Sequence, residues 1–154
     1  MLNGATTPSQ NMRERLLAAH NRERTDMGAP PLAWDSALAD DAQDWADHLA
    51  ATGSFRHAPE APMNPEGENL WAGTRNRFSL ERMVDGWVRE KRYYKAGVFP
   101  YNSTTGNVAD VGHYTQLIWR NTSKVGCATA TGAIEDVLVC RYSAAGNYRG
   151  QIPL

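Results

Sequence analysis

Apolar residues recur at helical spacing in three stretches of the chain. The first follows Ser9, a suitable N-cap, and stops at Gly28. The second runs from Asp35 to Gly53, and the third follows Ser79 and continues to about residue 94. The inward positions of the first two are Met12, Leu16, Ala19 and Met27, then Leu38, Ala42, Trp45, Ala46 and Leu49. The pattern predicts three amphipathic helices.

Alternating, β-branched positions come later in the chain. VGCATA and VLVCRY are separated by TGAIED, which predicts a hairpin centred near residues 133 and 134. GENLWAG is expected to be a short extended piece and GHYTQLIWRNTS a short helix, with a long loop over 95–111 and an extended end over 144–154. Helices first and a hairpin late, without regular alternation, indicate an α+β fold or a layered α-β-α arrangement.

Length and charge narrow the class of protein. A chain of 154 residues with 42 % apolar and 21 % charged residues is typical of one globular domain and excludes disordered and fibrous classes. It contains no apolar run of the length that a transmembrane helix needs. Sixteen basic and 17 acidic residues give a net charge of −1, which argues against a nucleic-acid partner.

The two cysteines of the chain indicate in which kind of cellular compartment the protein folds. In the predicted hairpin Cys127 falls opposite Cys140, where a disulfide can form, and a disulfide implies an oxidising compartment. Two buried free thiols in a cytosolic sheet are the alternative. Residues 1–10 lack the basic and apolar regions of a signal peptide. We therefore expect a mature secreted domain with its leader removed and a start methionine added for expression.

Two glutamates stand in unusual positions. Glu90 lies on the edge of the apolar stripe of the third helix, beside Met83 and Trp87, where a carboxylate must be paired, hydrogen-bonded or exposed in a cleft. A glutamate that simply reaches water from the stripe edge fits equally well. Glu68 stands between a glycine and an apolar strand in GENLWAG, and its alternative role is that of a structural acceptor for a neighbouring loop.

The four histidines divide into two groups. His20 projects onto the apolar side of the first helix, which favours a buried structural residue, and His48 lies among acids on the second helix. His57 and His113 lie at a loop and a helix start, where functional groups are often mounted. The chain has no HExxH, GxSxG or CxxC motif and no phosphate-binding glycine loop. Folding must therefore assemble any site from separate segments.

Four motifs follow one another along the chain: AHNRER, GENLWAG, GHYTQLIWRNTSKVGCA and LVCRYSAAGNYRGQIP. In this order they resemble the CAP superfamily (cysteine-rich secretory, antigen 5 and pathogenesis-related 1 proteins), and the last two resemble its two signatures. The resemblance covers residues 10–154, expected to form a single CAP (SCP) domain behind a tail of residues 1–9. With one cysteine pair and no cysteine-rich extension, the chain is similar to the short secreted members from bacteria.

The resemblance implies a three-layer α-β-α sandwich with a central antiparallel sheet and a cleft that can hold Zn²⁺ or another divalent cation. The cleft would be lined by His57 and His113 as ligands, with Glu68 and Glu90 as additional or outer ligands. It also implies a hairpin disulfide between Cys127 and Cys140. Finally, it implies a structural hydrogen-bonding segment made of His20, Asn21 and Arg24.

The expected function is that of a secreted, extracellular or periplasmic binding domain rather than an enzyme. A zinc-dependent peptidase or esterase, with Glu68 and Glu90 as the candidate catalytic residues, is one alternative. Another is a structural domain that recognises an extracellular protein or a cell-wall component and keeps a vestigial site.

A lipid partner is a further expectation from the resemblance. Tyr94, Phe99 and Tyr101 have the spacing of a loop implicated in sterol binding by some relatives, and other relatives bind fatty acids in a groove. Such patterns occur by chance in aromatic loops. The alternative is that the three rings only pack the loop onto the sandwich.

Overall fold

Helix α1 spans Pro8–Met27 and begins with a capping box. The Thr7 hydroxyl accepts the backbone N–H of Gln10, and the Gln10 side chain accepts the N–H of Thr7. The prediction that Ser9 is the cap is therefore wrong, because Thr7 and Gln10 have the capping-box spacing and Pro8 fits the first helical turn. The helix ends as predicted at Gly28, whose φ of 78° is left-handed. The computed structural model describes residues 4–154, so the expected start methionine lies outside the described residues.

The other helices follow the predicted caps closely. Helix α2 spans Ser36–Thr52, between Asp35 and Gly53. Helix α3 spans Leu80–Val88 after Ser79 and continues as a 3₁₀ turn over Arg89–Tyr93, where one continuous α-helix was predicted. Helix α4 spans Gly112–Ile118. None of the helices in the described part of the chain is both long and apolar enough to span a bilayer.

Four strands form one sheet in the order β1-β3-β4-β2. They are β1 (Ala33–Trp34), β2 (Gly67–Thr74), β3 (Lys124–Thr131) and β4 (Glu135–Ser143). Three of them are antiparallel as predicted, whereas the two-residue β1 joins β3 in parallel, so the sheet is mixed. Cys127 lies opposite Cys140 and the two form a disulfide, which removes the free-thiol alternative. Residues 144–154, predicted to be extended, form turns and coil.

The sheet is covered on both faces, which confirms the three-layer sandwich. One face packs against α2, where small and branched side chains meet: Ala42, Ala46 and Leu49 against Leu70, Ala128, Val137 and Val139. The other face packs against α1, α3 and α4, with Leu16, Met83, Trp87, Tyr114 and Leu117 as members of this larger core. Because α3 and α4 share this face, the candidate residues Glu90 and His113 are brought close together.

Gly126 lets α2 approach the sheet closely. A Cβ atom at this position of β3 would overlap the backbone nitrogen of Ala39 and the carbonyl of Asp35 in the first turn of α2. The helix therefore sits as near to β3 as the backbone allows, which only glycine permits.

We expect Gly126→Ala to lower the free energy of unfolding by about 3 kcal/mol, because the clash involves backbone that cannot rotate away. Gly112→Ala is the matched control, since a Cβ there meets nothing within 4 Å. Urea unfolding followed by circular dichroism measures both. Equal stability of the two variants would contradict the close approach.

Arg24 is a fully buried cation that binds backbone carbonyls. Its Nε donates to the carbonyl of Pro30 (2.7 Å), and its two Nη atoms donate to three more around the end of α4. Those three acceptors, at 2.9–3.0 Å, are the carbonyls of Leu117, Trp119 and Thr122. Burial lowers the pKa of Arg24 to about 10, so the guanidinium stays charged at neutral pH.

We expect Arg24→Lys to lower the free energy of unfolding by about 3 kcal/mol or more. A lysine cannot donate to four carbonyls that lie in different directions, and the carbonyls left without a donor stay buried, which is unfavourable. Arg22→Lys, on the exposed side of the same helix, should change stability by less than about 0.5 kcal/mol. Urea unfolding measures both variants. If Arg24→Lys lowered the free energy of unfolding only slightly, the four carbonyls would have found other hydrogen-bond donors, which would contradict this role of Arg24.

Candidate functional site

His57 is held by a buried glutamate from the first residues of β2. Its Nδ1 lies 2.7 Å from Oε1 of Glu68, and the same oxygen accepts the backbone N–H of Ala58 at 3.0 Å. The Glu68 side chain is 7 % exposed, whereas that of His57 is 67 % exposed. Since a carboxylate only accepts, Nδ1 carries the proton, and in neutral His57 the unprotonated lone pair is on Nε2.

His113 has the same arrangement with the second glutamate. Its Nδ1 lies 2.6 Å from Oε2 of Glu90, while Oε1 accepts the backbone N–H groups of His113 and Tyr114 at 2.9 and 3.0 Å. The imidazole stacks on Trp87 with an interplanar angle of 8°. The position of Glu90 at the edge of the apolar stripe is thereby explained, because the 3₁₀ turn after α3 faces the start of α4.

Asn69 links the two histidine–glutamate pairs. It follows Glu68 in β2, and its Nδ2 donates to the backbone carbonyl of His113 at 3.1 Å. A cavity of 300 Å³ lies beside the first pair, and its walls include His57, Glu68 and Gln116. Gln116 lies one helical turn after His113 in α4. Neither His113 nor Glu90 lines this cavity, so the two pairs are connected through Asn69 and α4 rather than by a shared cavity.

Two further charged side chains, Arg141 and Glu66, are located beside the His57–Glu68 pair. Arg141 is the cross-strand neighbour of Glu68; its Nη1 lies 3.2 Å from Oε2 of Glu68 and its Nη2 lies 2.9 Å from Oε2 of Glu66. Burial, reinforced by a hydrogen bond to Asp41, raises the pKa of Glu66 to about 7. Sequence reasoning missed both residues, because Arg141 meets the two glutamates only through the pairing of β2 with β4.

The described residues 4–154 contain one compact group of three metal-ligand side chains, and it is not the cleft. His20, Cys127 and Cys140 approach within 4.8 Å of one another, but the two sulfurs are bonded to each other. Both ring nitrogens of His20 are also engaged, with the Leu16 carbonyl at 2.8 Å and the Tyr142 hydroxyl at 2.7 Å. Among the described residues, the candidates His57, Glu68, Glu90 and His113 contribute no group of three ligand atoms as close as this one.

The segment His20, Asn21 and Arg24 makes only internal bonds. Asn21 exchanges two hydrogen bonds with the backbone of Leu32, at 2.7 and 3.1 Å. Burial lowers the pKa of His20 to about 4, which keeps its ring neutral.

The aromatic loop residues are divided between core and surface. Phe99 is buried and packs edge-on against Trp119, with ring centroids 5.8 Å apart. Tyr94 packs in the same way against Tyr114 at 5.3 Å. Tyr101, in contrast, is 74 % exposed. Two of the three rings thus pack the loop onto the sandwich.

Comparison with known proteins bears on both the fold and the family. A family model described as the cysteine-rich secretory protein family, CAP, matches residues 17–142. Pathogenesis-related protein 1A of Nicotiana tabacum is 39 % identical over 149 residues, which cover 94 % of this chain and 82 % of that protein. Pathogenesis-related protein 1 of Arabidopsis thaliana is 34 % identical over 146 residues, covering 94 % and 84 %. These relatives are plant proteins and do not support the narrower expectation of a bacterial member.

Solved structures share the fold. A structure of NaASP2 with Zn²⁺ superposes with a TM-score of 0.80 at 22 % identity, covering 99 % of this chain and 88 % of that one. BmVAL-1 superposes with a TM-score of 0.76 at 26 % identity, covering 98 % and 84 %. The α-β-α sandwich expected from the sequence is thereby confirmed.

The hydrogen bond that His57 donates to Glu68 raises the pKa of His57, against the opposing effects of burial and Arg141. We therefore expect Glu68→Gln to lower this pKa, as measured by an NMR pH titration of the imidazole. In the native protein, the stability that this pair contributes is fully present below about pH 6.5, the ordinary histidine value, and is lost as pH rises through the raised pKa. An unchanged titration in Glu68→Gln would contradict the pairing; His48, exposed on α2, is the internal reference.

Proposed function

This chain belongs to the cysteine-rich secretory protein (CAP) family, and on that basis we propose that it is a secreted binding domain whose cleft holds a divalent cation, with zinc as the best candidate. CAP proteins and their PR-1 members are secreted and mostly without catalytic activity. The disulfide between Cys127 and Cys140 agrees with an oxidising compartment.

One observation carries the proposal: each histidine donates its Nδ1 proton to a buried carboxylate. Glu68 holds His57 at 2.7 Å and Glu90 holds His113 at 2.6 Å. A carboxylate in this position fixes the ring, sets the tautomer and makes Nε2 a better metal ligand. His57 and His113 would thus bind the cation through Nε2, and Glu68 and Glu90 would form the outer shell. When bound, such a cation polarises a carbonyl or lowers the pKa of its water.

The engagement of both carboxylates favours binding over hydrolysis. Glu68 accepts from His57 and from the Ala58 N–H, and Arg141 lies against its other oxygen. Glu90 accepts from two backbone N–H groups as well as from His113. A general base needs a free oxygen within reach of its water. Both side chains are mostly buried, at 7 % and 17 % exposure, so neither is well placed for that role.

The related fold of NaASP2, solved with Zn²⁺, adds to this argument. That protein shows that a CAP sandwich can be obtained together with this ion. At 22 % identity, the similarity shows only that the two proteins share a fold. The ligand assignment proposed for this chain therefore depends on its two histidine–glutamate pairs.

We expect zinc to bind with 1:1 stoichiometry in isothermal titration calorimetry, more tightly at about pH 7.5 than at about pH 5.5. Protonation of the imidazoles competes with the metal. His57→Ala and His113→Ala should each weaken binding at least about tenfold. His48→Ala is the matched control, because this exposed ring stacks on Trp45 and is hydrogen-bonded to neither Glu68 nor Glu90.

Equal affinity at the two pH values, or full affinity in His57→Ala, would contradict histidine ligation. No zinc binding at either pH would favour a vestigial site. Peptidase or esterase activity that a chelator and Glu68→Gln both abolish would replace the binding role with a hydrolytic one.

A further inference from the structure

Two tight turns lie side by side at the surface near the end of the chain, and we call them the paired turns (98–101 and 148–151). In the first, the N–H of Tyr101 donates to the carbonyl of Val98 at 2.9 Å; in the second, the N–H of Gln151 donates to the carbonyl of Tyr148 at 3.2 Å. Phe99 joins the turns through two backbone hydrogen bonds of 2.8 and 2.9 Å. The pair is therefore one fixed surface element.

The paired turns and the residue that follows them expose large apolar side chains to solvent. Tyr101 is 74 % exposed, Ile152 58 %, Tyr148 43 % and Val98 42 %. Four of the eight exposed large apolar residues in the described chain are concentrated here. Phe99 anchors the element from below, buried against Trp119. A concentration of exposed apolar side chains on a rigid support is typical of an interaction surface.

The two segments that contain the paired turns carry basic but no acidic side chains. Residues 91–109 and 137–154 contain no aspartate or glutamate, although the whole chain has 17. Lys95 and Arg149 are exposed in these segments, and Arg120 is exposed on the chain beside Pro153; none of the three has an ion-pair partner within the described residues. Lys95 lies at the base of the first turn, and the N–H of Arg120 donates to the Pro153 carbonyl at 2.7 Å.

We propose that the paired turns dock the protein on an anionic lipid bilayer. Tyrosines place an apolar ring in the membrane interface while the hydroxyl stays at the headgroups, and isoleucine and valine add apolar area. Unpaired lysine and arginine side chains beside them are attracted to anionic headgroups. The two contributions together give reversible peripheral binding. This surface is formed by other residues than the histidine cleft and does not depend on the proposed metal.

The test is co-sedimentation of the whole protein with sterol-free vesicles of phosphatidylcholine, alone or with about a third phosphatidylserine. We expect binding to the anionic vesicles that decreases as salt rises from about 0.05 to 0.5 M, and much weaker binding to the neutral ones. Omitting sterol separates this surface from sterol recognition by the aromatic loop.

Variants separate the two contributions. The double variant Lys95→Ala, Arg149→Ala should weaken partitioning about 25-fold, at about fivefold per charge. The double variant Tyr101→Ser, Ile152→Ser should weaken it at least about tenfold. Ile134→Ser is the matched control: this residue is 77 % exposed, but it lies on the β3–β4 hairpin and precedes two acids, Glu135 and Asp136. It should bind like the unaltered protein.

Three outcomes would overturn the proposal. They are no binding of the unaltered protein to anionic vesicles, equal binding to neutral vesicles at all salt concentrations, and an equal loss in Ile134→Ser. Because all substituted side chains are exposed, unfolding is not expected to interfere, and thermal melting of each variant verifies this.

Discussion

The arrangement of this sandwich depends on one buried cation. Arg24 of α1 donates to four backbone carbonyls, three of which surround the end of α4. The last carbonyls of a helix have no partner within it, and a positive charge is favourable at that end. Arg24 therefore satisfies groups that would otherwise be buried without donors, and it fixes α4 relative to α1. Since His113 lies on the first turn of α4, the position of a candidate ligand is set from the opposite end of its helix.

A second chain of buried polar contacts reaches the site through the sheet. The Tyr142 hydroxyl donates to Nε2 of His20, because Nδ1 must give its proton to the Leu16 carbonyl, and the Tyr142 oxygen accepts from Asn69. Asn69 also holds the carbonyl of His113. A fully satisfied polar network rigidifies a core. With the pKa of His20 at about 4, this network keeps one charge state near neutral pH, so the scaffold does not titrate with the cleft.

Local signals predicted more of the fold than of the site. The caps at Asp35 and Ser79 and the register that pairs Cys127 with Cys140 are encoded within a few residues of each element. Strand β1 was not predicted, because two residues carry no periodicity and pair only with a distant strand. Helical projection singled out Glu90, but not its partner 23 residues away. Arg141 was missed because its role depends on the register between β2 and β4.

The first role of Glu68 and Glu90 is structural, because each carboxylate holds one imidazole in a fixed orientation. Glu68 ties an imidazole to the backbone at Ala58, and Glu90 ties the other to the first turn of α4. Each ring is thereby oriented by contacts that exist without a metal, so binding a cation costs little reordering. These contacts occupy Oε1 of Glu68 and both oxygens of Glu90, and the remaining Oε2 of Glu68 is buried 3.2 Å from Nη1 of Arg141. The site proposed above would present two pre-oriented nitrogen ligands, an arrangement that suits the holding of a cation better than the transfer of a proton.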